Sequence, residues 1–184
     1  VGSVGFYGMK KTHQGLRDIG SNQLPSVVDL LVIQEALAVV ARANGELAFL
    51  AIVTTEEEAI EQNKARLNAS FNAKKEARAR ISQSIKNYEK VPFSKEEGDL
   101  WASGKPFIDQ WLPMDDIANQ LIASAAENPT KENLLKMQQA LAKTRQERGV
   151  AYAKMLAAVS KQVDFNVALA DRIYADANQL SSTI

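Results

Sequence analysis

The sequence predicts an all-α protein: an antiparallel up-down-up-down four-helix bundle with long first and last helices and a kinked third. Three observations carry this. Apolar residues recur at steps of three, four or seven through most of the 184 residues, which is the spacing of one helix face and not of strand alternation. Ala is abundant, while only five prolines occur and three of the nine glycines fall within the first eight residues, a composition that favours helix. The few interruptions coincide with helix-capping signatures.

The first helix is expected over residues 10–53, with Leu16, Ile19, Leu24, Val27, Leu30, Leu31, Leu37, Val40, Leu47 and Leu50 on its apolar face. Val53 to Glu58 reads as a stop and restart, because Thr55 with Glu58 makes a capping box. A second helix over 55–90 is acidic in its first turn and rich in Lys and Arg later, as the helix dipole prefers. Its stripe is Ile60, Leu67, Phe71, Ile81, Ile85 and Tyr88. Lys74 and Arg78 fall on the same seam, where burial without partners is costly. A phase shift that turns Ala73 and Ala77 inward is the simpler expectation.

Lys90 to Ser94 breaks the second helix, and Ser94 with Glu97 forms a capping box for a third over 95–127. Pro106 and Pro113 each remove a backbone donor, so kinks or separate segments are expected. Trp101, Phe107, Ile108, Trp111, Leu112, Ile117 and Leu121 supply its apolar face. The two tryptophans suit core packing, and stacking on an aromatic ligand is the other use of such rings. Asn128-Pro129 sets an N-cap and a proline at the first helical position. The fourth helix then runs over 129–182, interrupted only by Gly149 and lined by Leu134, Met137, Leu141, Met155, Val159, Val163, Leu169 and Ile173.

Turns near residues 53 and 128 imply that facing residues of helices one and four have numbers summing to about 181. Both chain ends then finish at one level, about 50 residues or roughly 75 Å from the far turns. Helices two and three stop about 20 Å short of it, leaving two helices to protrude.

Length fits one domain, 1–184. Lys plus Arg and Asp plus Glu both total 22, so no net field attracts nucleic acid. Without cysteine there is no disulfide framework, thiolate metal site or cysteine nucleophile. His13 is the only histidine, which excludes paired Glu-x-x-His metal sites and leaves a Ser-His-Asp triad nothing else to use. Neither a P-loop nor a Gly-x-Gly-x-x-Gly occurs. The expectation is a protein that is not an enzyme, with no catalytic residue, metal or cofactor.

The polar residues that suggest a site lie on the upper halves of helices one and four. Gln34, Glu35, Arg42 and Asn44 on the first are expected level with Gln138, Gln139, Thr144, Arg145 and Arg148 on the last. Arginine forks with amide and hydroxyl donors are what a small carboxylate needs. The alternative is ordinary surface ion pairing of Glu35 with Arg145 or Arg148. The opening VGSVGFYGMKK has nine uncharged residues, too few for a bilayer, which takes about 20. Residues 1–9 read as the outer end of a transmembrane helix, with Lys10 and Lys11 at the water side.

The Gly-rich start Val4-Gly5-Phe6-Tyr7-Gly8, the run Asn22-Gln23-Leu24-Pro25-Ser26-Val27 followed by Leu30, the tryptophan-bearing third helix and the last helix through Leu169-Ala170-Asp171-Arg172-Ile173-Tyr174 resemble the periplasmic four-helix-bundle ligand-binding domain of bacterial methyl-accepting chemotaxis receptors. The resemblance covers essentially the whole chain. It implies a sensor domain anchored in the inner membrane by flanking transmembrane helices, homodimeric, binding a small organic acid or amino acid with helices one and four near the dimer interface. Signal would pass inward through a small displacement of the last helix. It also implies a tolerated bend at Pro25, and the face bearing Ala36, Ala38, Ala41 and Ala43 would let two first helices approach. The enteric aspartate receptors use three arginines on helix one and a threonine on helix four. Aligned on Leu24 to Leu30, the arginine positions fall at Glu35, Val40 and Asn44, so that arginine set is absent; Arg42 offers one from a neighbouring face, and Thr144 sits elsewhere in its helix. The alternatives are the sensor domain of a membrane histidine kinase and a helical scaffold without a small-molecule ligand.

Overall fold

A computed structural model describes residues 13–17, 19–53 and 57–182; within these, the side chains of 51–58, 144 and 180–182 are outside the description. The expected membrane-proximal end at 1–9, Lys10 and Lys11, and the Thr55–Glu58 capping box therefore lie outside the described residues. Four α-helices follow one another: α1 (Leu24–Val53), α2 (Glu57–Tyr88), α3 (Lys95–Glu127) and α4 (Lys131–Ser182). Residues 13–17 are helical, and Ile19–Gln23 form a π-helical turn that leads into α1.

That π turn has a local cause. Pro25 cannot donate to the carbonyl four residues back, and its ring crowds that carbonyl. A wider turn immediately before it relieves the clash, and the Ser21 hydroxyl caps the Arg17 carbonyl at 2.8 Å. α3 passes unbroken through Pro106 and Pro113; of the outcomes expected there, separate segments do not occur. The carbonyls these prolines leave free belong to Ala102 and Asp109, both on the exposed side, where water can take the missing donor's place. Ser94 caps α3 as expected, accepting from the Glu97 amide at 3.2 Å. Asn128 serves differently: it ends α3, and Thr130 caps α4 by accepting from the Asn133 amide at 3.3 Å.

Side-chain pairs trace the packing. From Arg66–Glu46 through Arg80–Glu35 to Asn87–Asp29, numbers rise along α2 as they fall along α1. α3 and α4 approach closely at Gly104, where an added Cβ would sit 2.9 Å from the Ala158 Cβ. α2 and α3 stay farther apart and are bridged by long side chains. Below the α2–α3 turn only the N-terminal run and α4 continue, touching where Gly15 meets Ile173. The facing register of α1 and α4 differs from the expected sum of about 181: Gln34 donates to Ser160 at 2.9 Å, a pair summing to 194. The helices are thus displaced by several turns from the level expected from turn positions alone.

Two apolar clusters form the core. The lower gathers Leu30 to Val40, Ala77 to Tyr88, Trp101 to Trp111 and Ala151 to Val159; the upper gathers Leu47 and Leu50, Ile60 and Leu67, Ala118 to Ala125, and Leu134 to Leu141. Between them lies a polar layer with one residue from each of three helices: Lys74 of α2, Asp115 of α3 and Arg148 of α4. The expected phase shift on α2 therefore does not happen. Lys74 is fully buried and Ala73 is exposed, although Ala77 does turn inward. Leu16 of the preceding run and Leu24 and Leu31 of α1 are exposed, while Ile33, Ala36 and Ala43 of α1 join the core. By length and composition the helical run His13–Leu50 is sufficient to cross a membrane, but one of its faces is core of the bundle.

At the lower end a second polar cluster ties α4 to the α2–α3 hairpin. The Tyr88 hydroxyl donates to Glu97 Oε1 at 2.8 Å and accepts from the side-chain amides of Gln162 and Asn166 at 2.5 and 3.3 Å. All four residues are buried. Phe93 and Trp101 pack against the Tyr88 ring, with centroids 5.0 and 4.8 Å away.

Candidate functional site

A hollow of ≈ 730 Å³ opens between α1 and α4 at the height of the polar layer, with Trp111 of α3 at its inner side. Its polar residues are Asn44 from α1 and Gln138, Arg145 and Arg148 from α4. These four of the nine sequence candidates are brought together. Gln34 lies lower, bonded to Ser160. Glu35 pairs with both guanidinium nitrogens of Arg80 on α2, so the expected ion pair with Arg145 or Arg148 does not form; the changed register is the reason. Arg42 and Gln139 are exposed and outside the hollow. Thr144 lies within α4, its side chain outside the description. Of the three positions aligned with receptor arginines, Val40 is buried in the core and only Asn44 borders the hollow.

The rest of the lining is apolar or lacks a side chain: Phe49, Leu141, Trp111 and Tyr152, with Gly45 and Gly149. Trp111 is almost wholly buried, the core packing expected of it, and it also borders the space. Its ring centroid lies 6.4 Å from that of Tyr152, and the Arg78 guanidinium sits 5.0 Å from it. Trp101 is a core residue whose indole donates to Glu89 at 3.2 Å.

Electrostatics give the site its character. Lys74 Nζ is 2.9 Å from Asp115 Oδ1, and Arg78 Nε is 3.2 Å from Asp115 Oδ2. Burial pushes the Lys74 amine below its ordinary value; Asp115 opposes that shift while Arg148 and Arg78 add to it. Burial likewise lowers Arg148, again partly offset by Asp115. One buried carboxylate thus answers three cations, with Asp116 taking the outer edge of Arg78 at 2.6 Å. Arg148 is only 9% exposed. One of its nitrogens reaches the Leu141 carbonyl at 3.3 Å, and its Nε has no partner. Asn44 Oδ1, also buried, has none.

Periodicity within one helix could not show this layer, because each member's partners come from other helices. A signal was nevertheless present: Lys74 stands seven residues from Leu67 and from Ile81, Asp115 seven from Ile108 and Ile122, and Arg148 seven from Leu141 and Met155. Charged residues held at core spacing on three helices are mutual partners.

Four long helices, a hollow between α1 and α4, and a two-helix stalk at the lower end fit a helical sensory module. The family model described as a four helix bundle sensory module for signal transduction matches residues 1–181, and the chain belongs to that family, the sensory modules of methyl-accepting chemotaxis proteins. This is a signal-transduction family and not an enzyme family. Comparison with curated proteins and with solved structures gave no match.

Proposed function

We propose that the chain is the extracytoplasmic sensor domain of an inner-membrane chemoreceptor, and that the hollow between α1 and α4 binds a small carboxylate. The observation that carries this reading is Arg148: a nine-tenths-buried cationic residue on the border of a hollow, in a layer where cations outnumber carboxylates. A buried positive excess is costly, and an anion in the hollow offsets it. Arg145 supplies a second fork at the mouth, and the Asn44 and Gln138 amides supply orienting polar groups.

Thermal denaturation against a panel of organic and amino acids tests this. A ligand at one hundred times its Kd adds about 2.7 kcal/mol to stability. Arg148→Gln and the exposed Arg145→Gln are each expected to weaken that ligand at least tenfold. If no carboxylate raises the midpoint of the folded protein, the reading fails.

The partner in this reading is a second copy. α1 carries an exposed second stripe, Leu24, Val28, Leu31, Ala38, Gly45 and Phe49, spaced by fours and threes and interrupted by Glu35 and Arg42. Such spacing is that of a helix-to-helix seam. The four-alanine face expected for this contact is divided, since Ala36 and Ala43 belong to the domain's own core and only Ala38 and Ala41 face outward. Gly45 and Phe49 border both stripe and hollow, so dimerisation and binding are coupled. Sedimentation is expected to show a weak dimer tightened by ligand, and Val28→Glu is expected to give monomers of unchanged fold. A signal would then leave along α4, which carries most of the polar lining at one end and forms half of the stalk at the other.

A further inference from the structure

We propose that the occupant of the hollow is an aromatic carboxylate, its ring lying flat against the bare backbone of Gly149; this rests on the carboxylate-binding reading above and names the body of the ligand. Gly149 stands in the interior of the 52-residue α4, where glycine is among the least favourable residues. Two ordinary reasons for such a glycine are missing. Among the described residues no glycine has a positive φ. Nor does a neighbour crowd the position, because an added Cβ would meet nothing within 4 Å. Gly104 shows the contrast, since there the Ala158 Cβ would be 2.9 Å away. What Gly149 borders is the hollow itself.

The surroundings match a flat, ring-bearing acid. Arg148, the residue immediately before Gly149, is nine-tenths buried and borders the hollow with its cationic side chain. Tyr152 provides aromatic surface, tilted 57° to the ring of the almost wholly buried Trp111, and edge or face contact with a third ring extends that arrangement. The lining is mostly apolar, with Phe49 and Tyr152 among it; an aromatic ring covers such a surface while its carboxylate reaches the arginines, whereas a four-carbon diacid is charged at both ends and sets one charge against apolar walls. Gly45, across the hollow on α1, likewise has open space at its Cβ position. It also lies on the exposed stripe of α1, so Gly149 is the discriminating position.

The test is calorimetric titration of the protein with three probes: benzoate, cyclohexanecarboxylate and succinate. Benzoate is expected to bind at least tenfold more tightly than either of the others. Gly149→Ala is expected to raise the thermal midpoint of the free protein, since Ala is the better helix former, and to weaken benzoate at least tenfold. A merely structural glycine does not raise stability and lower affinity together. Equal affinity for the three acids, or a Gly149→Ala protein that binds benzoate unchanged, overturns the flat-ring inference. Tighter binding of succinate that Arg148→Gln abolishes overturns it too, and leaves the carboxylate site standing. Binding of none of the three removes both.

Discussion

Replacing Asp115 with asparagine is expected to destabilise the bundle by about 3–5 kcal/mol, seen as a lower urea midpoint at unchanged slope. The estimate follows from breaking a buried ion pair on one side, which strands a charge that water cannot reach. Lys74 is fully buried with its nitrogen 2.9 Å from Asp115, and Arg78 and Arg148 lean on the same carboxylate. Asparagine keeps the shape and loses the charge. The double change Lys74→Met with Asp115→Leu should recover the Lys74 share of the loss, because it removes that ion along with its partner, while Arg78 and Arg148 still lack the carboxylate. A double variant as unstable as Asp115→Asn would mean that the stranded Lys74 charge is not the source of the cost.

Tyr88→Phe is the second large effect, expected at about 3 kcal/mol. The phenol is the shared partner of Glu97, Gln162 and Asn166, and phenylalanine fills the same space while leaving those buried groups short of a partner, at about 1–3 kcal/mol or more each where a charge is involved. A pH signature separates this from lost packing. Burial, reinforced by the Glu97 carboxylate, raises the Tyr88 phenol well above its ordinary value of 10.0. In the unfolded chain the phenol ionises near 10 while the folded chain keeps its proton. The Tyr88 contribution is therefore complete below pH 10 and declines as pH climbs past it. Unfolding midpoints at pH 9 and 11 should differ by more in the parent than in Tyr88→Phe.

How far the residues foretell this protein differs between its parts. The Ser94 cap and most core positions of α2 and α4 follow from spacing and local hydrogen-bonding chemistry, which operate within a few residues. The facing register of α1 and α4 does not, because it depends on how helices tilt and slide over one another; Gln34 meets Ser160 several turns from the expected level. The same displacement decided the candidate set, sending Glu35 to Arg80 while Asn44, Gln138, Arg145 and Arg148 converged. Glu97 shows a local rule yielding to tertiary structure: its amide takes the cap, but its carboxylate turns inward to Tyr88. Lys74 departs from its helix's own pattern for a related reason: the counter-ion that makes its burial tolerable stands on the next helix.

The polar layer also limits how far α4 can travel. Its neighbours at the same face are Leu141 and Met155, each seven residues from Arg148. A slip of one heptad, about 10 Å, would set a hydrocarbon side chain against the Lys74–Asp115 pair and carry the guanidinium into an apolar cluster. Shifts of about 1–2 Å, the size common at helix interfaces, need only a rotamer adjustment of Arg148. The layer acts as a detent: it lets the helix quiver within its notch and returns it there, so α4 is confined to small strokes about a fixed register.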